Sequence, residues 1–97
     1  MITKFKIFEE EKWNDDIGSY VVVRNDRYPE FFENNIGEIT KMYYPGAWFD
    51  LKYTKAPDYI IEYMEYSMKG FNVADILIKS KNKQECEAYL AAKKYNI

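Results

Sequence analysis

The chain contains no histidine and a single cysteine, Cys86. Without histidine it lacks the commonest general base and the commonest metal ligand, so a hydrolase built on a histidine triad is excluded. One cysteine and no histidine leave a zinc site without ligands, and no intrachain disulfide can form. Cysteine usage of this kind suits a reducing compartment, and the cytoplasm is the expected location. Neither G-x-x-x-x-G-K-[ST] nor G-x-G-x-x-G occurs, so phosphate-cradling loops are not indicated. No stretch is apolar for the length of a membrane span, and the N-terminal MITKFKIFEEEKWNDD has no long apolar run after its lysines, unlike a secretory signal. The carboxylates of residues 9–16 lack the spacing of a calcium loop. No cofactor and no metal are expected. Repeats, low-complexity tracts and linkers are also missing, so residues 1–97 read as one domain.

Aromatic residues are plentiful. They make up 19% of the chain, and ten of them are tyrosines, more than one small core requires. Hydrophobic residues at 47% and charged residues at 31% fit a folded domain able to bury one modest core. The net charge of −2 disfavours nonspecific binding to nucleic acid or anionic membrane. The charge is uneven: residues 1–50 carry six basic and ten acidic side chains, and residues 51–97 carry eight and six.

The central stretch is Ile36 to Tyr53, IGEITKMYYPGAWFDLKY, which reads as two strands joined at Pro45–Gly46. The second strand alternates, with Phe49, Leu51 and Tyr53 on one face and Trp48, Asp50 and Lys52 on the other. The first is looser: Ile39 and Tyr43 share a face with Lys41, and Ile36, Thr40 and Met42 take the other. Pro followed by Gly favours a type II turn, which splays a tight hairpin, so a longer connection or a bulge is expected near Tyr44–Ala47. Gly37 is a second position for a bulge.

Around this hairpin, residues 2–8 alternate as a strand with outward lysines, suited to a sheet edge. Residues 17–25 hold the run Tyr20–Val23, β-branched and aromatic, as in a central strand buried on both faces. Pro29 can open a helical turn with Glu30, Phe31 and Phe32. Residues 58–66 fit a strand, with Tyr59, Ile61 and Tyr63 opposite Ile60, Glu62, Met64 and Tyr66. They also fit a helix with Ile60, Ile61, Met64 and Met68 as a stripe, and the Tyr and Ile content tips the reading to strand. Residues 71–79 read as a further strand. The clearest helix is C-terminal: Asn82 caps it, Glu85 completes a capping-box variant, Lys93 and Lys94 suit its end, and Cys86, Tyr89, Leu90 and Lys93 form one stripe. Ala88, Ala91 and Ala92 permit close approach, and Cys86 reads as a small buried apolar residue. The fold class is α+β: a small, strongly curled antiparallel sheet or SH3-like barrel of five to six strands with a C-terminal helix.

Three segments carry a resemblance. VVVRND at 21–26, IGEITKM at 36–42 and WFDLKY at 48–53 resemble the SH3-like small barrels, where a valine-rich strand, a loop, a Gly-x-Ile/Val strand, a turn and an alternating strand follow in that order. The sequence departs from that pattern after Tyr53. The resemblance implies binding of peptide, protein or nucleic acid, since members of this group mostly bind and rarely catalyse. In style the chain is also similar to the small inhibitors of phages and mobile elements, anti-CRISPR proteins among them, although no motif is shared. That likeness implies occlusion of a surface on a host machine, with the acidic N-terminal half in a basic groove.

The function expected is non-enzymatic protein binding. The candidate contact residues are Trp13 with Asp15 and Asp16 in the acidic connection, then Tyr28, Tyr44, Trp48, Tyr63 and Tyr66, because Trp and Tyr flanked by charge are recognition residues. Two alternatives stand beside it. Lys52, Lys55, Lys69, Lys79, Lys81 and Lys83, with Tyr53, Tyr59 and Tyr66, could bind nucleic acid. Or the surplus aromatics form the symmetric interface of a homo-oligomer.

Overall fold

The computed structural model describes residues 15–43, 46–66 and 70–95. Residues 2–8, Trp13 and Tyr44 lie outside them. Among the described residues the elements run β1 (Tyr20–Val23), α1 (Pro29–Phe32), β2 (Gly37–Tyr43), β3 (Trp48–Lys52), α2 (Asp58–Tyr66), β4 (Phe71–Asn72), a 3₁₀ helix (Val73–Asp75), β5 (Ile76–Ser80) and α3 (Lys83–Tyr95). The five strands form one antiparallel sheet in the order β4–β3–β2–β1–β5. The fold is α+β and the sheet is open, the curled-sheet form rather than a closed barrel.

The curl follows from the connectivity. β4 and β5 are opposite edges of the sheet, yet only Val73–Asp75 separates them. Four strand spacings in a flat sheet amount to roughly 19 Å. The four residue steps from Asn72 to Ile76 reach at most about 14 Å. The sheet must therefore bend its edges toward each other. Hydrogen bonds hold the bridge at both ends: Val73 N–H donates to the Ala47 carbonyl at 2.9 Å, and Arg24 N–H donates to the Asp75 carbonyl at 2.7 Å.

The core lies on one face. Val21, Val23, Ile39, Met42 and Phe49 from the sheet meet Phe32 of α1 and Ile60 of α2. Phe32 is the aromatic hub, with ring centroids 5.2 to 5.8 Å from Phe31, Tyr53, Tyr63 and Phe71. Tilted and edge contacts of this kind add about 0.5–1.5 kcal/mol each beyond area burial. Val22 points to the opposite face and is fully buried, as is Cys86 of α3, whose thiol donates to the Tyr20 carbonyl at 3.5 Å. β1 is thus covered on both sides, as its valine run implies.

Two bulges explain what the alternation alone does not. In β2, Ile39 pairs with Leu51 and Lys41 with Asp50, so Thr40 is the extra residue. It resets the phase and turns both Ile39 and Met42 into the core, three positions apart. This is why β2 reads as loose in sequence; the bulge sits at Thr40, not at Gly37. The connection itself is longer than two residues, since Tyr43 pairs with Trp48, and Gly46 has φ +100° with its N–H on the Tyr43 carbonyl. Gly37 serves close approach instead: a Cβ there would stand 2.8 Å from Tyr53 Cζ. In β5, Leu77 is the extra residue between the Val23–Ile76 and Val22–Ile78 pairs.

Two other segments differ from expectation. Residues 58–66 are helical, with Ile60 buried and Tyr63 and Met64 half-buried on the core side. The inward positions recur at three and four residues, and that period outweighs the β-propensity of Tyr and Ile. The Pro57 carbonyl accepts the first bonds, from Ile60 and Ile61. Residues 71–79 are two strands split by the 3₁₀ turn, which Asn72 caps by accepting from Ala74 N–H at 2.8 Å. The C-terminal helix starts at Lys83 with Asn82 as its cap, accepting from Gln84 N–H at 2.9 Å. The capping box is not completed by Glu85, because Asn82 N–H donates to Ser80 Oγ at 3.0 Å. Cys86, Tyr89, Leu90 and Lys93 face inward, whereas Ala88, Ala91 and Ala92 are exposed.

Candidate functional site

The curl leaves a groove of about 470 Å³ where the sheet edges approach. Its walls are the loop Arg24–Arg27 after β1, Trp48 at the start of β3, Tyr63 of α2, and the stretch from Gly70 to Asp75. Local chemistry fixes the loop. Asn25 Oδ1 accepts from the N–H groups of Arg27 at 2.9 Å and Tyr28 at 2.7 Å, and its Nδ2 donates to the Tyr63 hydroxyl at 3.0 Å. One asparagine therefore closes an Asx turn and ties the loop to α2.

Behind this wall the tyrosines stack. Tyr28 meets Tyr63 edge-on at 5.1 Å and Tyr59 at 5.4 Å, and the Arg27 guanidinium lies 5.7 Å from the Tyr28 ring centroid. The Tyr28 hydroxyl accepts from Arg27 at 3.5 Å, which raises the guanidinium pKa. Arg24 reaches Asp75 at 3.4 Å, with 59% and 42% of the two side chains exposed. A pair so exposed is worth little, and its guanidinium is available to another acceptor. Arg24, Arg27, Asp26 and Asp75 line the groove together with the partly exposed Trp48, so its charged groups balance, two against two.

On the outer face of the hairpin, the Tyr43 hydroxyl donates to Asp50 at 2.7 Å, which raises its pKa, and Lys41 lies 4.8 Å from the ring centroid.

Of the residues singled out in the sequence, Trp48 and Tyr63 line the groove and Tyr28 supports it. Tyr66 stands apart, 84% exposed on α2. Asp16 is ion-paired with Lys79 at 3.0 Å, and the Asp15 carbonyl accepts from Lys81. Those two lysines are thereby engaged, while Lys55 and Lys83 flank a second groove near Asn34 and Asn35. Sequence reasoning missed Arg24, Asn25, Arg27, Asn72 and Asp75. The available signal was the polar run R-N-D-R directly after a buried strand, where a loop must turn and an Asn can template it.

Among the described residues no three of Cys, Asp and Glu gather as a metal site, and no helix is long and apolar enough to cross a membrane. No protein-family model matches the chain, and no curated protein or solved structure is significantly similar to it.

Proposed function

We propose that this is a non-enzymatic protein-binding module that takes a segment of a partner protein into the groove at Trp48. The observation that carries the reading is the placement of Trp48. Trp48, partly exposed, lines the same groove as two arginines whose guanidinium contacts are weak, and Trp and Arg dominate binding energy at interfaces. The partner segment presents an apolar side chain to the indole and polar groups to the Arg and Asp rim. The domain acts by covering its partner's surface, with no chemistry of its own. The SH3-like reading finds support in the strand order and in the 3₁₀ turn that joins the two edges. A single buried thiol suits a reducing compartment, and on that ground we place the protein in the cytoplasm.

The test compares wild type and Trp48→Ala as tagged baits in nuclease-treated lysate, with folding checked by circular dichroism. A protein retained by wild type and weakened on the order of thirtyfold by Trp48→Ala is expected, as for a hot-spot residue. Retention unchanged by the substitution, or dependent on nucleic acid, overturns the reading.

A further inference from the structure

α2 carries a second feature. Successive helical residues are rotated by about 100°. The outward half therefore runs, side by side, Ile61, Glu65, Asp58, Glu62, Tyr66 and Tyr59, and all six are exposed. Three carboxylates form the centre, Tyr59 (53% exposed) and Tyr66 (84%) one flank, and Ile61 (41%) the other. The core gains little from them, since Tyr59 touches only Tyr28 among the described aromatics.

The arrangement works against the helix. Asp58 and Glu62 are like charges at i, i+4, and Glu62 and Glu65 at i, i+3, and both pairings are destabilising. Glu65 stands in the last turn, where the helix dipole opposes a negative charge and where the helix itself carries no basic residue. The ion pairs of the described residues involve none of the three. Both residue types on this face select the same ligand group. Carboxylates attract a cation, tyrosine faces attract a cation, and an apolar flank accommodates the stem of a Lys or Arg side chain. Nucleic acid is repelled by the same carboxylates.

We propose that the outward face of α2 docks a Lys/Arg-rich segment of a partner protein. The surface is separate from the groove, and the inference does not rest on it.

The experiment is a titration of the ¹⁵N-labelled chain with a twelve-residue peptide of repeated Arg-Gly-Ser, and with its Glu-Gly-Ser counterpart, at low ionic strength. Amide shifts are expected to cluster on residues 58–66 with the arginine peptide alone. Glu62→Lys combined with Glu65→Lys, which relieves repulsion and so preserves the fold, lowers affinity roughly tenfold or more. Tyr66→Ala, too exposed to disturb the core, lowers it about three- to fivefold. Shifts that appear equally at Asp15, Asp16 and Glu85–Glu87, or an equal loss with Glu85→Lys and Glu87→Lys, reduce the effect to general acidity and overturn the proposal. An absence of shifts overturns it too. Shifts confined to Arg24–Arg27 and Trp48 overturn it while leaving the groove reading in place.

Discussion

Tyr53→Phe is expected to stabilise the protein. The Tyr53 ring is wedged against Phe31, Phe32 and Gly37, and part of its edge reaches solvent. Its hydroxyl does not: the oxygen is buried and has no hydrogen-bond partner among the described residues. A buried hydroxyl without a partner costs about 1–3 kcal/mol. Removing it forfeits the dispersion contacts of one oxygen, a few tenths of a kcal/mol. The net gain is about 1 kcal/mol, or roughly 4–8 °C in melting temperature for a chain of this size. Alkaline pH sharpens the test. Burial pushes the Tyr53 phenol well above its ordinary value. The native state then keeps a proton that the unfolded chain releases above about pH 10, so wild-type stability falls as pH rises. The Phe variant lacks this loss, and its advantage should widen by about 1 kcal/mol between pH 10 and 11, the slope approaching ~1.4 kcal/mol per pH unit above that. Urea melts of both proteins at pH 7 and between pH 10 and 11 measure it, with the other tyrosines cancelling between variants. A Phe variant that is less stable at pH 7, or a gap that stays constant with pH, refutes the reasoning.

Two further outcomes follow from the same packing. Gly37→Ala places a Cβ 2.8 Å from Tyr53 Cζ in a buried strand position, and overpacking should cost about 1–3 kcal/mol of stability, read as a lower urea midpoint with an unchanged slope; no loss means that the ring has room to move. Burial, and secondarily Glu85, push the Cys86 thiol up, so an aromatic disulfide reagent at neutral pH should react with it only through unfolding. The labelling rate should then track urea concentration, and fast labelling of the native protein contradicts the seating of α3 on β1.

Much of the fold was legible because single faces are buried. Phe49, Leu51 and Tyr53 alternate in β3 as a half-buried strand requires, and all three reach the core. The valines of β1 sit between two layers and need no alternation. The Cys86, Tyr89, Leu90 and Lys93 stripe of α3 faces inward because the helix packs along β1 and β5, with Lys93 reaching Glu33 beyond α1. The bulges at Thr40 and Leu77 were not legible. A single inserted residue inverts the face of everything beyond it, and no residue type marks it without knowledge of the partner strand.

The reading of residues 58–66 shows how an error in secondary structure becomes an error in function. As a strand, Tyr59, Ile61 and Tyr63 share a face, and Tyr66 lies opposite them with Glu62. As the helix it is, the segment sends Ile60, Tyr63 and Met64 inward and gathers Asp58, Glu62 and Glu65 outward, with Tyr59 and Tyr66 beside them. The aromatic excess was visible in composition, but its division depends on this choice. Tyr28 and Tyr63 are absorbed into the wall behind the groove and Tyr53 into the core, whereas Tyr43, Tyr59, Tyr66 and Tyr95 stay exposed and Trp48 partly so. The acidic stripe also becomes visible only at helical spacing. In a strand, Asp58 and Glu62 fall on one face and Glu65 on the other, and no concentrated charge exists. The helix period thus both completes the core, through Ile60, and creates the charged surface.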